Sequence, residues 1–216
     1  MTLSNPQRAG VFVILALVMT ATRVNHFAAL PDASWAVFFA GGFYLSGDSS
    51  RGLRSLFAGA TRWAFPLLIA LAVLIDFVVI TSQGIDFWSH YCVSVAYWFL
   101  LPAYFSLWLG ASVLRATYRG LGARELGLLA VLLLASVSVC YVISNGSYYW
   151  LSDTWMAGDK TRSFGGWLEN LADWYVPYLR TSAMYVAIAA ALHVGVVLAA
   201  GSVRGVTARG ARSVRG

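Results

Sequence analysis

Charged residues are scarce in this chain: Asp, Glu, Lys and Arg together make up 11% of its 216 residues, where a soluble domain carries about 25%. A chain so poor in charge cannot turn most of its surface to water, which excludes an ordinary soluble domain. Cysteine is scarce too. Cys92 and Cys140 are the only two, too few for a disulfide framework, although one bridge between them stays open. There is no Gly-x-x-x-x-Gly-Lys-Ser/Thr loop, so any ATP hydrolysis falls to other chains. No tandem repeat or change of composition divides residues 1–216, which read as a single transmembrane domain. The first apolar run is long enough to span a bilayer and no Ala-x-Ala-like site follows it. It is expected to be a retained helix and not a cleaved leader.

What fills the chain is apolar, at 59% of residues. Crossing a bilayer core takes roughly 17–25 apolar residues. Six runs stand out, at residues 9–30, 34–45, 63–80, 92–114, 126–143 and 181–203. The second is short and opens after Leu30-Pro31-Asp32, a turn with a helix start built in. The expected fold is therefore an all-α integral membrane bundle of six transmembrane helices.

Charge sets the orientation. On the side of the N-terminus lie Arg8, Arg51, Arg54, Arg62, Arg115, Arg119, Arg124, Arg204, Arg209, Arg212 and Arg215, eleven of the 15 basic residues. Lys160, Arg162 and Arg180 fall opposite, with Asp32, Asp86, Asp153, Asp159, Glu169 and Asp173. By the positive-inside rule the N- and C-termini are expected in the cytoplasm. The net charge of +6 then needs no nucleic acid, because an arginine-rich tail beside a helix is an orientation signal with affinity for anionic lipid.

Ionisable residues at membrane depth are expensive, so their positions are informative. In this orientation Arg23 and His26 lie near the outer end of the first run, and Asp76 near the outer end of the third. His90, Cys92 and Tyr97 lie at the outer start of the fourth, while Ser144 and Asn145 close the fifth. Each alone fits an interfacial residue reaching for water; together they point to a pocket open to the outside. His193 stands alone inside the sixth run and reads as a packed, hydrogen-bonded histidine. The longest outer segment, 146–178, carries Tyr148, Tyr149, Trp150, Trp155, Phe164, Trp167, Trp174, Tyr175 and Tyr178. Some of these rings belong to an aromatic belt. So many in one loop, with Gly158, Gly165 and Gly166, suit a lid over a large, flat, partly apolar ligand.

Cys140 reads as a small buried hydrophobe. Cys92 falls at a helix start, where the N-terminal dipole favours the thiolate, a soft ligand for polarisable transition metals. With histidine alone beside it, it does not make a zinc site, which wants three or four convergent ligands.

The stretch His90-Tyr91-Cys92-Val93-Ser94-Val95-Ala96-Tyr97-Trp98-Phe99-Leu100-Leu101-Pro102-Ala103-Tyr104 resembles the BtuM group of cobalamin transporters. These are small six-helix substrate-binding (S) components of energy-coupling-factor (ECF) uptake systems, a kind of ABC transporter. Thr22-Arg23-Val24-Asn25-His26-Phe27, Leu30-Pro31-Asp32-Ala33-Ser34-Trp35-Ala36-Val37-Phe38-Phe39 and Leu74-Ile75-Asp76 are similar to that group as well. The likeness covers the first half of the chain; the second half matches in topology alone. At Ser94-Val95 the chain departs from the Thr-Pro of the family pattern. The resemblance implies a multi-pass protein of a bacterial cytoplasmic (inner) membrane with an outward cobalamin (vitamin B12) pocket. It implies Cys92 as axial ligand to the corrin cobalt, with His26, Asp76 and Tyr97 near it; Arg23 and His90, in the same outer layer by the orientation above, are further candidates for the pocket. Thiolate ligation favours losing a strong upper ligand, so Cys92 is also a candidate for decyanating cyanocobalamin. Ala16-Leu17-Val18-Met19-Thr20 resembles the small-xxx-small docking face of S components, with Ala16 and Thr20 meeting the transmembrane coupling subunit that carries the ATPases.

Two other chemistries use the same residues. An intramembrane cysteine peptidase or transpeptidase of the exosortase kind would pair Cys92 with His90 or His26 and Arg23. A b-type haem protein would use His26 and His193 as axial ligands.

Overall fold

The computed structural model describes residues 3–24, 30–47, 60–90, 92–152 and 162–213. Among these the regular structure is entirely helical: α1 (Asn5–Arg23), α2 (Ser34–Leu45), α3 (Ala64–Ser82), α4 (Leu100–Thr117), α5 (Ala123–Leu151) and α6 (Phe164–Ser213). Short 3-10 turns cover Ala60–Trp63, Phe87–Ser89 and Val95–Phe99.

Four stretches are long and apolar enough to cross a membrane: Ala64–Ser82, Val95–Thr117, Ala123–Leu151 and Phe164–Gly201. At most 39% of any of their apolar windows is buried, and only 6% in α6. They therefore turn apolar side chains outward, among them Leu67, Leu74 and Val78 of α3, Val131 and Leu134 of α5, and Ile188 and Leu192 of α6. Water penalises such surface at roughly 25 cal/mol per Å²; acyl chains do not.

The other two helices differ. α1 has the length, but it opens on Asn5-Pro6-Gln7-Arg8 and closes on Arg23. α2 has 12 residues, a rise of about 18 Å against a hydrocarbon core of about 30 Å. Ten of its residues are buried: Ser34 to Gly42 and Leu45. It runs inside the bundle, against α1, α3, α4 and α6.

α2 is held by ring packing and by close backbone approach. Phe38 stacks on Tyr104 at 4.5 Å and meets Phe65 edge-on at 5.5 Å, and Phe65 leans on Trp108 at 5.5 Å. Gly41 and Gly42 make room for Trp108: a methyl group on Gly42 would stand 2.8 Å from the Trp108 Cα. The last carbonyls of α2, which have no partner within their own helix, are served by α4. Ser112 Oγ donates to the Gly42 carbonyl at 3.2 Å and Arg115 Nη1 to that of Phe43 at 2.9 Å. α4 packs its other face on α5, with Gly110 against Ser136.

Helix ends depart from the apolar runs where local hydrogen bonding overrules hydropathy. α1 begins at Asn5, before residue 9, because Ser4 and Gln7 form a reciprocal capping box. Its last residue is Arg23, whose guanidinium turns into the polar cluster described below; residues 25–29 of the expected run lie outside the described residues. The fourth run does not become a helix at 92. Ser94, extended at φ −132 and ψ 175 in magnitude, caps Ala96 through its hydroxyl at 3.2 Å, so winding starts at Val95 as a 3-10 turn. α5 and α6 exceed their apolar runs 126–143 and 181–203. Of the expected outer loop 146–178, residues 146–151 belong to α5 and 164–178 to α6. Eight of its nine rings stand on these two helices; Trp155 lies outside the described residues.

Candidate functional site

One guanidinium organises the polar end of the bundle. Arg23, on the last turn of α1, is 7% exposed and grips Asp76 of α3 as a two-pronged fork. Nε donates to Oδ1 and Nη2 to Oδ2, both at 2.6 Å. Its remaining nitrogen, Nη1, donates to Asp32 Oδ2 at 3.1 Å, Ser34 Oγ at 3.0 Å and Tyr104 OH at 3.3 Å. Tyr97, on the 3-10 turn before α4, donates its hydroxyl to Asp76 Oδ2 at 2.7 Å. Asp32 also receives the Ser34 amide and hydroxyl on Oδ1, at 2.9 and 2.6 Å, which starts α2. Charge-assisted forks of this kind are the strong class of hydrogen bond. One cation faces two carboxylates, and hydroxyl donors offset the surplus negative charge.

This cluster fixes the elements around the turn that carries Cys92. Val93 N closes that turn on the His90 carbonyl at 2.8 Å, and the Cys92 amide donates to His90 Nδ1 at 3.3 Å. The Cys92 side chain is exposed, whereas Cys140 is fully buried. Cys92 thus precedes the first helical turn instead of occupying it. A helix dipole acts within the first turn, so it does not reach Cys92 as the apolar run implied. A wall of rings stands beside the cluster: Tyr178 stacks on Trp35 at 4.8 Å, Tyr141 lies 5.6 Å from Tyr178, and Tyr175 lies 5.5 Å from Tyr141. Trp88, Trp98 and Trp174 are exposed, at 70%, 63% and 56%.

The chain matches no family model and no curated protein.

Of the residues singled out from sequence, Arg23, Asp76 and Tyr97 meet directly, and Cys92 and His90 share the turn just ahead of Tyr97. His26 lies outside the described residues. Ala16 and Thr20 lie on α1, half-buried, and Thr20 returns its hydroxyl to the Ala16 carbonyl at 2.9 Å. Asn145 donates to Asn170 Oδ1 at 2.7 Å, joining α5 to α6. His193 is hydrogen-bonded at both ring nitrogens, to Tyr44 and Tyr118. Ser34 and Tyr104 are the members of the cluster that sequence reasoning missed, and Asp32 enters there as a turn residue and an outer acid but not as a partner of Arg23. Two signals were there: Asp32 and Ser34 frame a helix start, and Tyr104 follows Tyr97 by seven residues, two helical turns on one face.

The geometry weighs on the rival chemistries. Arg23 is committed to two carboxylates and is not offered to a scissile carbonyl. A haem would have to take His193 from one of its tyrosines.

Proposed function

We propose that this chain is the cobalamin-binding and uptake component of an ECF-type transporter. In this reading six helices lie in a bacterial cytoplasmic membrane, with both termini inside and the Arg23 end facing out. The Cys92 thiolate is the axial ligand to the corrin cobalt. The observation that carries the reading is a single junction. Asp76 and Tyr97, which the resemblance puts near a corrin, lock together with Arg23 of the same outer layer and hold the segment that follows the exposed turn bearing Cys92.

The exposed rings at the same end give a flat macrocycle apolar surface to lie on, and the stacked Trp35–Tyr178 pair sets one wall. Preorganisation counts here, because a turn closed by the Val93-to-His90 bond and followed by the anchored Tyr97 leaves the thiol less freedom to lose when it meets the metal. A coupling subunit docked along α1 would link the pocket to ATP hydrolysis on partner chains. With thiolate below the cobalt, cyanide leaves from above with the electron pair of its bond, and the cobalt keeps its oxidation state.

The test is the absorption spectrum of purified protein incubated with cyanocobalamin. Wild type is expected to hold near one corrin per chain, with bands moved by sulfur ligation and with loss of the cyanide bands. Cys92→Ser is expected to give the bands of corrin in buffer. An identical spectrum in wild type and variant would remove Cys92 from the cobalt, and no retained corrin at all would end the transport reading.

A further inference from the structure

The opposite end of the bundle holds a second site, unrelated to the Arg23 cluster. A cavity of about 260 Å³ lies between α2, α4, α5 and α6, walled by Phe39, Leu114, Leu129, Val186, Ala189 and Ala190. Its volume falls just below the usual range for small-molecule pockets, about 300–1,000 Å³. Leu121, Leu126 and Val194 also line it and are exposed, at 43%, 66% and 39%. Its mouth therefore opens on the apolar surround of the helices.

Three polar groups reach into this apolar chamber as one unit, and Glu125, neutralised by its pair with Arg124, is the other polar side chain on its wall. Tyr44 OH lies 2.9 Å from His193 Nδ1, and Tyr118 OH lies 3.0 Å from His193 Nε2. A neutral imidazole has one N–H donor and one bare nitrogen. In either tautomer, then, one tyrosine donates to the ring and the other accepts from it. The accepting tyrosine still has its own hydroxyl hydrogen to give. Among the described residues that hydrogen meets no second acceptor; a hydroxyl so placed in an apolar site is costly, so the chamber presents one donor to a guest that brings an acceptor. Positive charge stands nearby: Arg119 follows Tyr118 in the chain and is exposed, and Arg124, with a side chain 51% exposed, pairs with Glu125 at 3.0 Å.

We propose that this cavity seats one anionic phospholipid by its ester end and the first part of one acyl chain, with the ester carbonyl accepting from the Tyr44–His193–Tyr118 relay, the rest of the lipid outside the mouth and its phosphate near Arg119 and Arg124. An acyl chain suits the walls, an ester carbonyl suits a lone donor, and a phosphate suits the two arginines. The site is independent of the corrin reading, and either can fail without the other.

The test uses the full chain in nanodiscs containing equal amounts of phosphatidylglycerol and phosphatidylcholine, both ¹³C-labelled at the ester carbonyls. Native mass spectrometry counts retained lipid and infrared spectroscopy reads the labelled carbonyl band. Wild type is expected to keep one phosphatidylglycerol and to show a carbonyl band lowered by hydrogen bonding. In Tyr44→Phe/Tyr118→Phe the shifted band should vanish and retention fall about tenfold, the loss expected of one hydrogen bond in an apolar site. Leu129→Trp, which fills the cavity and keeps both hydroxyls, is expected to expel the lipid while leaving the helical circular dichroism unchanged. Retention that ignores both changes overturns the proposal. So does equal retention of phosphatidylcholine, or displacement of phosphatidylglycerol by an added short-chain quinone.

Discussion

Replacing Arg23 with alanine is expected to destabilise the folded chain by about 3–5 kcal/mol, the usual cost of removing one partner from a buried ion pair. The arithmetic of the cluster explains why. Among the described residues Arg23 is the one cation paired with Asp32 and Asp76, whose side chains are only 22% and 19% exposed. Without it two carboxylates face each other in a poor solvent, and Ser34 and Tyr104 lose the group they serve as acceptors. Arg23→Lys keeps the charge but gives up the fork on Asp76, and an intermediate loss is expected. The decisive comparison is Arg23→Ala/Asp76→Ala, which should be less damaging than the sum of its single changes, with a coupling of about 0.5–3 kcal/mol. Thermal unfolding in detergent, followed by circular dichroism, measures all four. Strict additivity would mean that the fork contributes nothing.

The second large effect is expected from one methyl group at Gly42. A Cβ there would press on the backbone of Trp108, 2.8 Å from its Cα and closer still to its carbonyl oxygen. Backbone cannot step aside by changing rotamer, so α2 and α4 must part. Their separation would break the Ser112 and Arg115 bonds to the end of α2 as well. Overpacking alone costs about 1–3 kcal/mol, and the lost bonds place Gly42→Ala at the top of that range. Gly10, on the outside of α1, is the control, since nothing lies within 4 Å of a Cβ built there. Gly10→Ala should stabilise by roughly 0.5–1 kcal/mol through helix propensity. Equal melting temperatures for the two variants would contradict the close approach.

How much of this could be read beforehand depended on the kind of signal. α2 runs from Ser34 to Leu45 as its turn and apolar run predict, because Asp32 starts it with a short-range bond that sequence displays. Hydropathy misjudged α6, since a window of apolar residues reports contact with lipid and not helix: Glu169, Asp173 and Arg180 sit in α6 without interrupting it. The start of α4 was misplaced by one residue's behaviour, the Ser94 cap. Arg23, Asp76 and Tyr97 could be assigned to one layer by orientation. Their pairing across 53 and 21 residues of chain is a product of packing, and composition does not carry it. The relay through His193 was hidden for the same reason, with Tyr44 lying 149 residues away.

α2 also bears on the order in which the chain is built. A helix too short to cross the bilayer, with its final carbonyls satisfied by Ser112 and Arg115, has no finished form when it leaves the ribosome. Its partners are synthesised some seventy residues later. Until then its first half can lean on α1, through the Ala33 amide and the Thr22 hydroxyl, but its far end is open. The second helix of this protein is completed by its fourth, because two of its last carbonyls find their donors only when α4 packs against it.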